Sequence, residues 1–197
     1  SGFALHQRGY RRESGEAPLR ETLASALLYT AGYDGEEALL DPMCGSGTLV
    51  IEGAQIARRI APGLQRAEAG DFAFQKRRRF DADSFAYYLT ELRDSMRDAP
   101  QSIVGSDRDA GLSAIARRNA DRAGVADDIR WNASDFSARL PGDAPTLVIA
   151  NPPFGQRLGE QDAAKRLLMS FGDHLKTEFA GHRAAMILGS KPLVGAV

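Results

Sequence analysis

Three groups of residues in this chain have the types and spacing to do chemistry. The first is Asn151-Pro152-Pro153-Phe154, which follows an apolar run. Two prolines withhold two N–H donors and stiffen the backbone. That leaves carbonyl acceptors beside the Asn151 carboxamide oxygen. The Asn151 side-chain oxygen and the Pro152 carbonyl can then hold a planar NH₂ group through both of its hydrogens. Drawing on those hydrogens localises the nitrogen lone pair for attack, and Phe154 offers a face on which a base can stack.

The second group is Asp41-Pro42-Met43-Cys44-Gly45-Ser46-Gly47-Thr48. Glycines there allow a tight turn and close approach of a ligand. The helix that follows presents free N–H groups. No Gly-Lys-Ser/Thr follows, so this is not a Walker loop. Gly45 and Gly47 match two glycines of a dinucleotide fingerprint, but Val50 stands at the third position. An acid at a strand end beside such a turn suits a cationic, hydroxylated ligand. Asp107 and Asp135 make the third group, each just past an apolar run. An acid at the second strand end can take both hydroxyls of a ribose. Taken singly, each is a turn-forming or helix-capping Asp.

These residues need elements to position them. Leu19, Leu23 and Leu27 recur at helical spacing after Pro18, predicting a helix over 19–31 that Gly32 stops. Strands are predicted at 38–40, 103–105, 129–132, 147–150 and 184–188. Helices are predicted over 49–60, along Phe85, Leu89, Leu92 and Met96, over 112–123, and along Leu167, Leu168, Phe171, Leu175 and Phe179. Residues 64–82 show weak periodicity and read as a loop or insertion. Alternating strands and helices predict an α/β, doubly wound parallel sheet, and the order expected for its five strands is 3-2-1-4-5. Apolar runs without alternation fit strands covered on both faces.

Composition narrows the function. The chain has 197 residues, 43% apolar and 26% charged, as in a soluble globular domain. With 25 Lys and Arg against 26 Asp and Glu, it is no uniformly basic nucleic-acid binder. Charge is uneven, however. Residues 54–80 carry Arg58, Arg59, Arg66, Lys76, Arg77, Arg78 and Arg79 against Glu68 and Asp71, a net of +5. A basic stretch of that kind can meet RNA phosphates. The single Cys44 cannot form an intrachain disulfide. His6, His174 and His182 are scattered, so no metal-ligand spacing exists. No apolar run is long enough to span a membrane, and no signal peptide opens the chain. The expected setting is cytoplasmic, and the absence of an initial Met suggests a piece of a longer chain.

The set DPMCGSGT, GSD, NASDF and NPPF resembles the class I S-adenosylmethionine-dependent amino-methyltransferases. With the flanks SGFALHQRGYR, APLRETLASALL, RRNADRAGV and NPPFGQRLG, the chain is most similar to the guanine-N2 methyltransferases of 23S ribosomal RNA that carry a THUMP domain upstream. The resemblance implies one Rossmann-like methyltransferase domain over 1–197. It comprises a helical flank at 1–37 and a core at 38–190 with an insertion at 58–101. The family's last strands and its THUMP domain lie outside this sequence. S-adenosylmethionine is the implied cofactor. Its implied contacts are Thr22 (beside Arg20 and Glu21), Asp41, Pro42, Cys44, Gly45, Ser46, Gly47, Thr48, Asp107, Arg108, Asp135, Phe136 and Asn151. Asn151, Pro152, Pro153 and Phe154 would grip the target base. The implied partner is nucleic acid, large-subunit rRNA first, with no metal and no membrane. NPPF is shared with DNA adenine methyltransferases. N6-adenine methylation of DNA and guanine-N2 methylation of tRNA therefore stand as alternatives, and a non-catalytic RNA-binding scaffold as a different class.

Overall fold

A computed structural model describes residues 7–13, 19–153, 160–189 and 191–195. Its centre is a five-stranded sheet: β1 (Ala38–Asp41), β2 (Ile103–Asp107), β3 (Ile129–Ala133), β4 (Thr146–Ala150) and β5 (Arg183–Met186). All neighbours are parallel, in the order β3-β2-β1-β4-β5. The expected doubly wound, Rossmann-like order is therefore present. Seven helices accompany the sheet among the described residues: α1 (Glu21–Thr30), α2 (Thr48–Ala57), α3 (Leu64–Glu68), α4 (Ala82–Asp94), α5 (Ala110–Ala123), α6 (Glu160–Glu178) and α7 (Lys191–Val194).

Strand periodicity builds the two layers. Leu39, Leu147 and Ile149 face one core, with Ala24 and Leu28 of α1, Val50 and Ile51 of α2 and Ala120 of α5. Leu40, Val148 and Ala150 point the other way, onto Phe136 and onto Phe171 of α6. β1 and β4 are buried along their whole length, as their unbroken apolar runs predict. β5 ends the sheet on one side and is half open to solvent.

Two expectations need correction. Residues 64–82 are not a plain loop: α3 forms, followed by a 3₁₀ turn at Ala73–Lys76. Leu64 and Ala67 are buried, which orders a segment too short to show helical periodicity. The helix marked by Phe85, Leu89, Leu92 and Met96 does form, as α4, but it ends at Asp94, short of Met96, and none of its residues is buried. Its apolar side does not reach the core. Pro18 lies outside the described residues.

The N-terminal flank is bound to this core through buried polar groups. Tyr10 donates its hydroxyl to Glu52 Oε1 at 2.8 Å, and Ser25 donates to Oε2 at 2.5 Å. Arg11 donates to Glu21 at 3.0 Å and to the Leu19 carbonyl at 2.6 Å. Glu13 pairs with Arg118 and Arg122 of α5. Burial raises the Glu52 carboxyl above its ordinary range. Removing the Arg11 guanidinium would strand Glu21, which is 2% exposed. Arg11→Ala should therefore cost about 3 kcal/mol, the scale for breaking a buried pair, read as a lower urea midpoint at unchanged slope. An unchanged midpoint would show that the flank is not part of the cooperative unit.

Candidate active site

Register brings the strand ends together. Asp41 stands opposite Gly105, Asp107 opposite Ala133, and Leu40 opposite Val148. Asp41, Asp107, the 134–136 turn and Asn151 thus gather at the carboxyl edge of the sheet. In the doubly wound order this edge opens a crevice where the chain leaves β1 to one side and β4 to the other.

The turn after β1 is built by backbone chemistry. Cys44 N–H donates to the Ser106 carbonyl at 2.9 Å, and Gly47 N–H to the Cys44 carbonyl at 2.8 Å. Gly47 caps α2 with φ 84°, and a Cβ there would lie 2.9 Å from Ala116 Cβ. Backbone conformation and close packing both call for glycine. Gly45 is also left-handed, with φ 53°, but a Cβ there would meet nothing within 4 Å. Space is open above it.

Asp107 clamps this turn. Its Oδ2 accepts Gly45 N–H and its Oδ1 accepts Asp109 N–H, each at 2.9 Å. Each oxygen keeps a lone pair for a further donor. Asp109 caps α5 through Gly111 and Leu112 N–H. Ser106 is buried and donates to the Ser134 carbonyl at 3.1 Å, tying the ends of β2 and β3. Asp135 accepts from the Ser137 N–H and hydroxyl, which hold its carboxyl below the ordinary range. Arg108 is exposed and close enough to add to that lowering.

Asp41 is strongly perturbed at this edge. It is 1% exposed, and its Oδ1 accepts Met43 N–H at 3.1 Å. Burial pushes its carboxyl up to about 8, with Asp107 adding in the same sense. Burial and the same two carboxylates raise the Cys44 thiol, so it is a packing residue and no nucleophile. Asn151 supplies the second anomaly: its Oδ1 is buried and accepts no hydrogen bond from the described residues. An orphaned buried acceptor is costly, and it marks a place where a donor belongs.

The other expected site residues differ in exposure. Pro42, Ser46 and Thr48, in and around the same turn, are buried. Phe136 is buried, with ring centroids 5.3 Å from Phe171 and 5.8 Å from His174, so its ring belongs to the core. Thr22 is exposed on α1, whereas its neighbour Glu21 is buried. Pro152 is buried and Pro153 exposed; Phe154 lies outside the described residues. Asn119 is a residue that spacing alone did not single out. It is fully buried on α5 and donates to the Ser46 carbonyl at 3.2 Å and the Glu13 carbonyl at 3.1 Å. Its only signal is a carboxamide beside the apolar stripe Ala116, Ala120 and Ala123. Among the described residues, no group of three or more His, Cys, Asp or Glu is placed to hold a metal ion. No helix among them is long and apolar enough to cross a membrane.

Residues 8–196 match the family described as "RMKL-like, methyltransferase domain". The chain belongs to this methyltransferase family. It is 41% identical to the ribosomal RNA large subunit methyltransferase K/L of Vibrio parahaemolyticus, over 98% of this chain and 28% of that protein. Among solved structures it is similar to SMU.472, assigned as a methyltransferase and complexed with SAH (TM-score 0.86, 28% identity, 98% of this chain and 49% of that one). It is also similar to a predicted N6-adenine-specific DNA methylase from Listeria monocytogenes (TM-score 0.82, 32% identity, 99% and 50%). The fold is thus the class I methyltransferase type. The chain spans less than a third of the curated relative and about half of each solved one.

The Asp41 shift has a consequence for stability. An unfolded aspartate titrates near ~3.9, and in the fold the value is about 8. The folded state therefore binds the extra proton between those values. Stability is fully present below the lower one and is lost as pH rises towards the upper. Thermal unfolding should show wild type losing stability relative to Asp41→Asn between about pH 5 and pH 8. Parallel pH profiles for the two would contradict the buried, protonated carboxyl.

Proposed function

We propose that this domain transfers a methyl group from S-adenosylmethionine to an exocyclic amine of RNA, with N2 of guanine in large-subunit rRNA as the substrate. The observation that carries this reading is Asn151 Oδ1, buried at the end of β4 and without a hydrogen-bond donor among the described residues. Its family membership and its 41% identity to a large-subunit rRNA methyltransferase support the substrate class. Action on ribosomal RNA would also set the domain in the cytoplasm.

The residues present fit the cofactor. Asp41 is a buried carboxyl short of charge compensation, suited to a cationic ligand. Asp107 offers free lone pairs for ribose hydroxyls while holding the Gly45 turn. The open space above Gly45 lets a ligand approach the backbone. When bound, S-adenosylmethionine supplies a methyl group activated by a sulfonium.

The chain's own residues act on the amine. A conjugated NH₂ is a poor nucleophile because its lone pair spreads into the ring. Asn151 Oδ1 and the Pro152 carbonyl accept its two hydrogens and favour a tetrahedral nitrogen. That contact strengthens as the new C–N bond forms, because the nitrogen becomes cationic and its hydrogens more acidic. One of those protons then leaves to water, and no general base is required. Rate comes from positioning and from acceptors fixed in advance. Phe154 stacks on the base.

Asn151→Ala should leave S-adenosylmethionine affinity nearly intact while methyl transfer falls ~10²-fold or more. Phe154→Ala should weaken nucleic-acid binding by ~1–3 kcal/mol. Both are read by tritiated-methyl transfer from the full-length protein to deproteinised rRNA, tRNA and DNA, followed by nucleoside analysis. N2-methylguanosine in large-subunit rRNA is the expected product. N6-methyladenine in DNA would instead support the second reading, which the Listeria neighbour favours. Full methyl transfer by Asn151→Ala would reduce the motif to a rigid loop.

A further inference from the structure

The insertion between α2 and β2 carries a second feature, separate from the crevice. α2 starts at the carboxyl edge of the sheet and β2 starts at the amino edge. The insertion therefore leaves and rejoins the sheet at the edge opposite Asp41. Its root is fixed there: Arg97 donates to the Ala57 carbonyl at 2.8 Å, and Arg58 to the Gly124 carbonyl at 3.0 Å.

Beyond that root is an aromatic cup. Phe74 meets Phe85 with centroids 5.4 Å apart, and Phe80 meets Phe85 at 5.2 Å. With Tyr88, Arg77 and Arg79 these rings line an open cavity of about 450 Å³. Phe74 is 43% exposed and Tyr88 63%. Such apolar area, on a 3₁₀ turn and a helix that each have no buried residue, calls for a partner.

Charge indicates which partner. Lys76, Arg77, Arg78 and Arg79 are consecutive and exposed, and none forms an ion pair among the described residues. By contrast Arg58, Arg93 and Arg97 of the same insertion are each paired with a carboxylate. The one acid lining the cup, Asp81, is occupied by the Ser84 N–H and hydroxyl at 3.0 and 2.8 Å. Aromatic faces beside uncompensated cations are what single-stranded nucleic acid requires: bases stack and phosphates pair.

We propose that this cup is a second RNA-binding subsite, in which an unpaired base stacks on Tyr88 and Phe74 while neighbouring phosphates meet Arg77 and Arg79. The inference rests on the RNA substrate proposed above and adds a distal contact to it. With the crevice and the root of the insertion at opposite edges of the sheet, about 15 Å apart along the ten residues of α2, a substrate engaging both is an extended strand. A free nucleotide cannot reach both.

The test is RNA binding by the full-length protein, read by fluorescence anisotropy across a salt titration. The probe is a fluorescein-labelled single-stranded RNA of about 12 nucleotides, with single-stranded DNA of the same sequence as competitor. Tyr88→Ala should raise Kd about tenfold, and Tyr88→Phe should restore it. The double variant Arg77→Gln/Arg79→Gln should flatten the log–log salt slope by about 1.4. S-adenosylmethionine affinity should be unchanged in all three. Wild-type binding with Kd and slope unaltered in the variants would overturn the subsite alone. If those variants also lowered the unfolding midpoint of the full-length protein, the cup would be covered by another part of the chain. A wild-type protein that binds no RNA would overturn the subsite and the RNA reading together.

Discussion

Everything at this site depends on the position of β1, paired on one side with β2 and on the other with β4. Parallel pairing in fixed register forces all the strand ends to one edge. The connections then leave on opposite faces, and the edge opens at Asp41. A one-residue slip in β1 would exchange Leu39 and Leu40 between the two cores. It would also move Asp41 away from the Asp107 clamp. Burial of these short strands therefore fixes the chemistry at their ends.

Around that edge, polar groups convert a flexible turn into a rigid one. Asp107 takes the Gly45 N–H, Asn119 takes the Ser46 carbonyl, and Ser106 joins β2 to the turn after β3. Asn119 also holds the Glu13 carbonyl, while Glu13 pairs with Arg118 and Arg122. The N-terminal flank thereby becomes a brace for the glycine turn. Against this rigid frame, Asn151 Oδ1 is a buried acceptor without a donor among the described residues. Such an arrangement has a cost in the free protein, which the proposed amine would offset.

Much of this was legible in the sequence because it depends on local, strong signals. Asp41, Asp107 and Asn151 each terminate an apolar run, so strand-end placement followed from short-range pattern. The parallel, doubly wound sheet followed from alternation of strands with helices. Other features depend on tertiary contacts that carry no periodic signal. The partners of Asn119 lie in a turn and a flank 73 and 106 residues away in sequence. The family resemblance places Phe136 at the cofactor, and only the position of α6 shows that its ring packs in the core. The apolar spacing of α4 is genuine, yet no core lies opposite it. Of the seven bases at 54–80, Arg58 and Arg66 are held by backbone carbonyls, which leaves Arg59 and the run Lys76–Arg79, all exposed.

The central claim is that the carboxyl edge is built to receive a cation beside a buried, protonated Asp41. The most direct measurement is calorimetric titration of the protein with S-adenosylmethionine at pH 7, repeated in buffers of different ionisation enthalpy. Binding should force Asp41 to ionise, so wild type should release roughly half to one proton per site, and Asp41→Asn should release none. Binding by wild type with no net proton release would contradict the account.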